Sequence, residues 1–253
     1  MEAWSRPRGN EAAVRERTRI AEELVSFGAP NTAPADQYRI LRQRVEQFAR
    51  AGARVFAITS AGPGEGKTIT TLNLAGALAQ SRVSNVIVVD VDFHRPSVTK
   101  YLGLPARLPG LAEAILDERS DITRAVRRLE SLGISVMPTG VPQVAPYELL
   151  SSPRLEILMA EMRRHYDYVL VDTPPVLSVA DCRMLSSLVD GFIVVVAASR
   201  TPRRALVDAV KIIDPAKLLG VVLNGDDRPQ GPYYRYEAYA ASDAAPRNGG
   251  QKG

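Results

Sequence analysis

The segment VFAITSAGPGEGKTITTLNLAGAL, residues 55–78, decides the reading of the fold. It passes from an apolar, β-branched run through a glycine-rich turn into a run with helical spacing. Residues 61–68, AGPGEGKT, fit the phosphate-loop pattern GxxxxGK[ST], with Ala61 where the first glycine usually stands. Gly62, Gly64 and Gly66 let the backbone fold tightly, so that N–H groups point at phosphate oxygens. A helix starting near Gly66 adds the positive end of its dipole. In this pattern Lys67 reaches the β- and γ-phosphates and the Thr68 hydroxyl goes to Mg²⁺. An ordinary glycine turn is rejected by context: a strand before, a helix after, and Lys-Thr at the helix start.

On either side of this loop, short apolar runs recur with helical patterns between them. Strands are expected at 54–59, 86–92, 134–137, 168–173, 192–197 and 219–224. They do not alternate polar and apolar residues, which predicts strands covered on both faces. Helices are expected near 35–50, 66–81, 110–117, 153–165, 180–188 and 202–213. The alternation argues for an α/β fold of the phosphate-loop NTPase type, a doubly wound and mainly parallel sheet flanked by helices. Beyond Asn224 the pattern stops. The stretch GDDRPQGPYYRYEAYAASDAAPRNGGQKG lacks apolar periodicity and reads as a mobile tail.

Composition narrows the class. The 253 residues are 45% apolar, enough to bury one α/β core. The net charge of +4 is mild, and much of the arginine lies among acids, as in EAAVRERTRIAEELV. That is a solvated helix face rather than a nucleic-acid patch, so no nucleic-acid partner is expected. Cys182 is the single cysteine, which excludes a disulfide framework and a cysteine-based metal site, and fits a reducing interior. The longest apolar runs fall short of a membrane span, and the N-terminus lacks the apolar core of a signal peptide. The expected location is cytoplasmic.

Magnesium beside a phosphate loop needs carboxylates at neighbouring strand ends. VIVVDVDFHRP ends a strand with Asp90 and Asp92, on one face if the chain stays extended, and YDYVLVDTPP ends another with Asp172. A lone Asp after an apolar run is usually a cap or turn residue. Two such strand ends beside a phosphate loop point to a metal instead.

PGEGKT, VVDVD and VLVDTPP together resemble the bacterial tyrosine kinases of polysaccharide synthesis and export. ADQYRILR is similar to that family's N-terminal Glu-x-x-Arg-x-x-Arg helix, and GLAEAIL, PYELLSS, DTPPVLSVAD and LLGVVLNG resemble further family stretches. The resemblance implies an ATP-dependent kinase with Mg²⁺. Gly62, Gly64, Glu65, Gly66, Lys67, Thr68 and Ile69 would bind the nucleotide, with Asn224 at the adenine edge. Thr68, Asp92 and Asp172 would hold the metal. Lys67 and Asp92 would serve catalysis, and Asp90 would accept the tyrosine proton. Tyr233, Tyr234, Tyr236 and Tyr239, outside any apolar pattern, would be the phosphoacceptors. Asp36, Arg39 and Arg42 would contact a neighbouring subunit in a ring.

The family also implies an activator of the polysaccharide chain-length regulator type on a separate chain, which would recruit the kinase to the inner face of the plasma membrane. Residues 1–34 then form a variable N-terminal segment, 35–225 the kinase domain with its oligomerisation helix, and 226–253 the flexible tail.

Two positions depart from the family pattern. His94 stands where an Arg is common, with Arg95 next to it, and a neutral imidazole cannot supply a fixed charge. Asp36 replaces Glu in the N-terminal motif. Residues 36, 39 and 42 also fit an exposed salt-bridged helix face, and Asn224 also fits a turn before Gly225. Two other functions stay open. A nucleotide-switch ATPase of the septum-positioning or chromosome-partition kind shares the paired acids, but its loop carries a lysine where this chain has Gly62. A nucleotide-binding scaffold without transfer activity is kept open by His94.

Overall fold

The computed structural model describes residues 20–81, 84–117, 122–178 and 184–226. Its centre is β1 (Val55–Ser60), buried at all six positions, which runs through the glycine loop into α3 (Lys67–Ala79). The other strands are β2 (Val86–Asp90), β3 (Arg127–Leu129), β4 (Ile134–Met137), β5 (Tyr168–Asp172), β6 (Gly191–Ala197) and β7 (Leu218–Asn224). They form one seven-stranded sheet in the order β3-β4-β2-β5-β1-β6-β7, parallel except for the β3–β4 hairpin. The α/β doubly wound fold expected from sequence is therefore the one found.

Side-chain alternation divides the core into two layers. Phe56, Ile58, Val88, Leu170, Ile193 and Val195 pack on one face with Leu72, Leu74 and Leu78 of α3 and Val45 of α2 (Ala33–Arg50). Val55, Ala57, Val89, Val169, Val171 and Val194 pack on the other. That second layer is closed by α5 (Leu111–Leu116), α6 (Pro146–Leu150), α7 (Pro153–His165) and α8 (Arg203–Ile212). Two four-residue helices complete the set, α1 (Val25–Gly28) and α4 (Val98–Tyr101).

Two features differ from the sequence expectation. First, β2 ends at Asp90, because Phe93 N–H turns back to Val91 O at 3.0 Å; Asp92 lies in that turn and not on an extended strand. Second, β7 is not covered on both faces. Its pairing with β6 slips by one residue after Phe192, and beyond the bulge Val221 and Leu223 are both 50% exposed. An extra residue reverses which side chains face inward, and an edge strand has only one neighbour to help bury them. Within residues 20–34, ahead of α2, Leu24 is fully buried and Ser26 N–H donates to Asn73 Oδ1 of α3 at 2.9 Å. Of the helix expected at 180–188, residues 180–183, with Cys182, lie outside the described residues, as does nearly all of the tail.

Asp190, just before β6, secures the bottom of the sheet. It accepts from the main-chain N–H groups of Arg54 and Val55 at 2.6 and 2.8 Å, and from both Nη atoms of Arg163 at 3.0 and 2.8 Å. Burial alone would raise this carboxyl, but the Arg163 guanidinium and the two amides hold it below the usual carboxylate range. Asp190→Ala strands all three partners, and is expected to cost about 2–3 kcal/mol and several degrees in melting temperature. Since the folded pKa lies below the unfolded one, the stabilisation is present above about pH 4 and fades as the pH falls further. Thermal melts of parent and variant should converge in acid; a constant gap down to pH 3 would refute the assignment.

Candidate active site

The glycine loop reaches α3 through Gly66, whose φ of 93° is left-handed and suits glycine. A second constraint applies at the same residue: a Cβ there would lie 2.0 Å from Asn224 Nδ2. Asn224, at the end of β7, donates from that nitrogen to Glu65 O at 3.1 Å. Glu65 is itself buried, and its Oε1 accepts from the Thr201 hydroxyl at 2.6 Å. The ends of β6 and β7 thus hold the loop from behind. The Glu65 and Asn224 side chains are both engaged in fixing it.

Lys67 and Thr68 open α3, and Asp172 closes β5 beside them. Thr68 Oγ1 donates to Asp172 Oδ2 at 2.6 Å and lies 2.8 Å from Ser97 Oγ, while Thr71 Oγ1 lies 3.5 Å from Asp172 Oδ1. Asp90 and Asp172 are register partners on adjacent parallel strands, so their carboxyls share one end of the sheet. Asp90 accepts from Asp92 N–H at 3.1 Å through one oxygen, and from Ser97 and Val98 N–H at 3.3 and 3.2 Å through the other. It therefore also caps the start of α4, the ordinary role of an Asp after a strand. Asp92 Oδ1 accepts from Arg95 N–H at 3.0 Å. The His94 and Arg95 side chains are exposed on this turn. Ile69 sits partly exposed in the first turn of α3, where its carbonyl accepts from Asn73 Nδ2 at 3.0 Å.

Lys67, Asp90, Asp92 and Asp172 are all less than a tenth exposed. Burial, then the Asp172 charge, push Asp90 well above the usual carboxylate range, against the N–H groups of Val98 and Asp92. Burial likewise lifts Asp172 to about 7; the Thr68 hydrogen bond and Lys67 oppose this and Asp92 adds to it. Three buried carboxylates facing one lysine make a site short of positive charge, and a divalent cation fits that deficit. Among the described residues no three His, Cys, Asp or Glu side chains form a ready metal cage.

The residues expected at a subunit contact lie elsewhere. Asp36 and Arg39 pair with each other, and Arg39 also donates to Pro30 O. Arg42 pairs with Glu46 and donates to Ala77 O at 3.0 Å, at the far end of α3. Within one chain the Arg42 contact therefore stands about 15 Å along α3 from Lys67, at about 1.5 Å of rise per residue. Tyr233, Tyr234, Tyr236 and Tyr239 lie outside the described residues. Sequence reading did not single out Ser97, Thr71 or Thr201. All three are small polar residues in polar surroundings, and their partners are distant in sequence.

A phosphate loop at the carboxyl end of a parallel sheet, with one acid ending the adjacent strand β5 and another ending β2 beyond it, defines a nucleotide-binding protein of the phosphate-loop α/β class. The family described as AAA domain matches residues 53–217. Tyrosine-protein kinase YwqD of Bacillus subtilis (strain 168) is 32% identical over 223 residues, which cover 87% of this chain and 92% of that protein. The kinase domain of Escherichia coli tyrosine kinase ETK superposes with a TM-score of 0.76 at 25% identity, over 86% of each chain. The chain belongs to the bacterial tyrosine-protein kinases. Some relatives are much longer: the succinoglycan biosynthesis transport protein ExoP of Rhizobium meliloti (strain 1021) is 32% identical over 79% of this chain but only 26% of its own length.

The raised Asp172 gives a pH test. An acid whose folded pKa exceeds its unfolded value of about 4 makes the nucleotide-free protein progressively less stable as the pH rises from about 4 to about 7. The melting temperature of the parent should fall relative to Asp172→Asn across that window. Parallel curves would show that Asp172 is already ionised in acid.

Proposed function

We propose that this chain transfers the γ-phosphoryl group of ATP to the tail tyrosines Tyr233, Tyr234, Tyr236 and Tyr239, and so regulates the synthesis or export of a capsular or extracellular polysaccharide. The observation that carries this reading is the Thr68–Asp172 hydrogen bond at the head of α3, with Lys67, Asp90 and Asp92 at the same sheet end. In the reaction the tyrosine oxygen forms a bond to phosphorus, the bond to the β-phosphate oxygen breaks, and ADP leaves. The loop N–H groups and Lys67 bind and orient the phosphates, and the α3 dipole favours their charge. Phosphoryl transfer asks mainly for such positioning and charge neutralisation. Bound Mg²⁺ supplies further positive charge, and Thr68, Asp92 and Asp172 would hold it. Asp90, fixed by three main-chain donors and raised in pKa, would accept the tyrosine proton. Asn224 would border the adenine.

The assembly reading rests on the resemblance of Asp36, Arg39 and Arg42 to the family's N-terminal motif. They would meet a neighbouring subunit in a ring, and each tail would enter an adjacent site. No helix among the described residues is long and apolar enough to cross a membrane. An adaptor of the chain-length regulator type, on another chain, would bring the kinase to the inner face of the plasma membrane and activate it. In ExoP the matched region is 26% of the protein, so in that relative further sequence accompanies the kinase-like part.

Lys67→Ala should lose at least tenfold in ATP affinity or rate, since hydrogen bonds to charged groups contribute about 1.5–3 kcal/mol. Equal calorimetric affinity in variant and parent would reject the loop assignment. Transfer between subunits is tested by mixing Lys67→Met, tail intact, with an active chain ending at Gly225. Phosphotyrosine on the Lys67→Met chain is the expected result, and its absence with both proteins folded would rule out transfer between chains. Asp90→Asn should keep nucleotide binding and lose phosphotyrosine. Loss of binding would instead assign Asp90 to the metal.

A further inference from the structure

The turn after β6 presents a charged side chain that the site described so far does not use. Arg200 and Thr201 N–H both donate to Ala197 O, at 3.2 and 3.0 Å, and Ala197 N–H donates to the Thr201 hydroxyl at 2.9 Å. Ser199 in the same turn has φ of 57°, the only positive value at a non-glycine among the described residues. An L side chain adopts this conformation only where its surroundings enforce it. The Thr201 hydroxyl then ties the turn to the phosphate loop through buried Glu65, at 2.6 Å.

Gly64, at φ 72°, lies next to Glu65 on the loop, on the side that the turn approaches. Arg200 Nη2 lies 4.0 Å from the point a Gly64 Cβ would occupy, so the guanidinium stands over the exposed loop backbone. No carboxylate forms an ion pair with it among the described residues. Lys67 is the one cation inside the loop, facing three buried carboxylates, and an incoming triphosphate adds several more negative charges. Gly62 stands where a switch ATPase carries a second lysine.

We propose that Arg200 supplies the second cation of the nucleotide site, binding the phosphate chain from the Gly64 side. The inference rests on reading residues 61–68 as a nucleotide loop. A guanidinium suits the task because its planar donors pair two at a time with phosphate oxygens and it stays charged at any working pH. The turn supplies the positioning: a left-handed Ser199, a doubly used Ala197 carbonyl and the Thr201–Glu65 bond fix the root of a side chain that would otherwise sweep freely. No second subunit is needed to deliver this charge.

The test uses the full chain with Arg200→Ala and Arg200→Lys, titrated calorimetrically with Mg²⁺ and a non-hydrolysable ATP analogue. Arg200→Ala should bind at least tenfold more weakly with an unchanged melting temperature. Arg200→Lys should recover part of the loss, and millimolar guanidinium should restore part of the alanine variant's affinity. A merely structural arginine would give neither recovery. Affinity of Arg200→Ala within twofold of the parent, or a loss that tracks a lowered melting temperature and responds to neither lysine nor guanidinium, would overturn the proposal. Lys67→Ala, measured alongside, separates the two levels: if it too binds like the parent, the loop reading itself has failed.

Discussion

Negative charge crowded at one end of the sheet sets the terms for everything around it. Asp90 and Asp172 face each other across strands about 4.8 Å apart, both almost wholly buried, with Asp92 close by. Two buried carboxylates at that spacing cannot both ionise cheaply. Each is therefore satisfied by a different means. Asp90 is wrapped by main-chain N–H groups, and Asp172 by threonine hydroxyls, by Lys67 and by a raised proton affinity. Such an arrangement is a poor way to stabilise a fold and a good way to prefer a cation. The helices, the turn at 91–97 and the glycine loop are all placed to make that crowding tolerable.

The loop owes its shape to residues far from it in sequence. Asn224 crosses to Gly66 and Glu65, and Thr201 to the Glu65 carboxylate. A phosphate-binding backbone that already holds its turn loses little freedom when a ligand arrives. In this way the last two strands, which contribute no acid to the cluster at Asp90 and Asp172, still shape the loop beside it.

How much of this was legible beforehand depends on whether the signal was local. The loop, the acids and the buried strands announce themselves in consecutive residues, and α7 matched its expected bounds of 153–165. The four-residue helices α1 and α4 are too short for a period to show, and β3 is three residues, two of them arginine, with no apolar run. The segment LLGVVLN reads as a buried strand because its composition says nothing of edges; the bulge and the missing neighbour are properties of the sheet. Asp92 was placed on an extended strand because apolar residues continue to Val91, yet the main-chain turn to Val91 O wins. Ser97, Thr71 and Thr201 gave no signal, since a hydroxyl's partner 29, 101 or 136 residues away leaves no local trace.

The contact between Arg42 and Ala77 O has a mechanical side. Ala77 lies in the last turn of α3, and Lys67 is that helix's first residue. Ten of the thirteen residues of α3 are buried, so it can shift only as a rod set in its bed. One end of that rod opens on the glycine loop, and the other hands a carbonyl to Arg42 of the Arg42–Glu46 pair. Surface chemistry at residues 36–46 and chemistry at the glycine loop are thus two ends of a single stiff piece. The helix runs between them for 13 residues without a proline to break it.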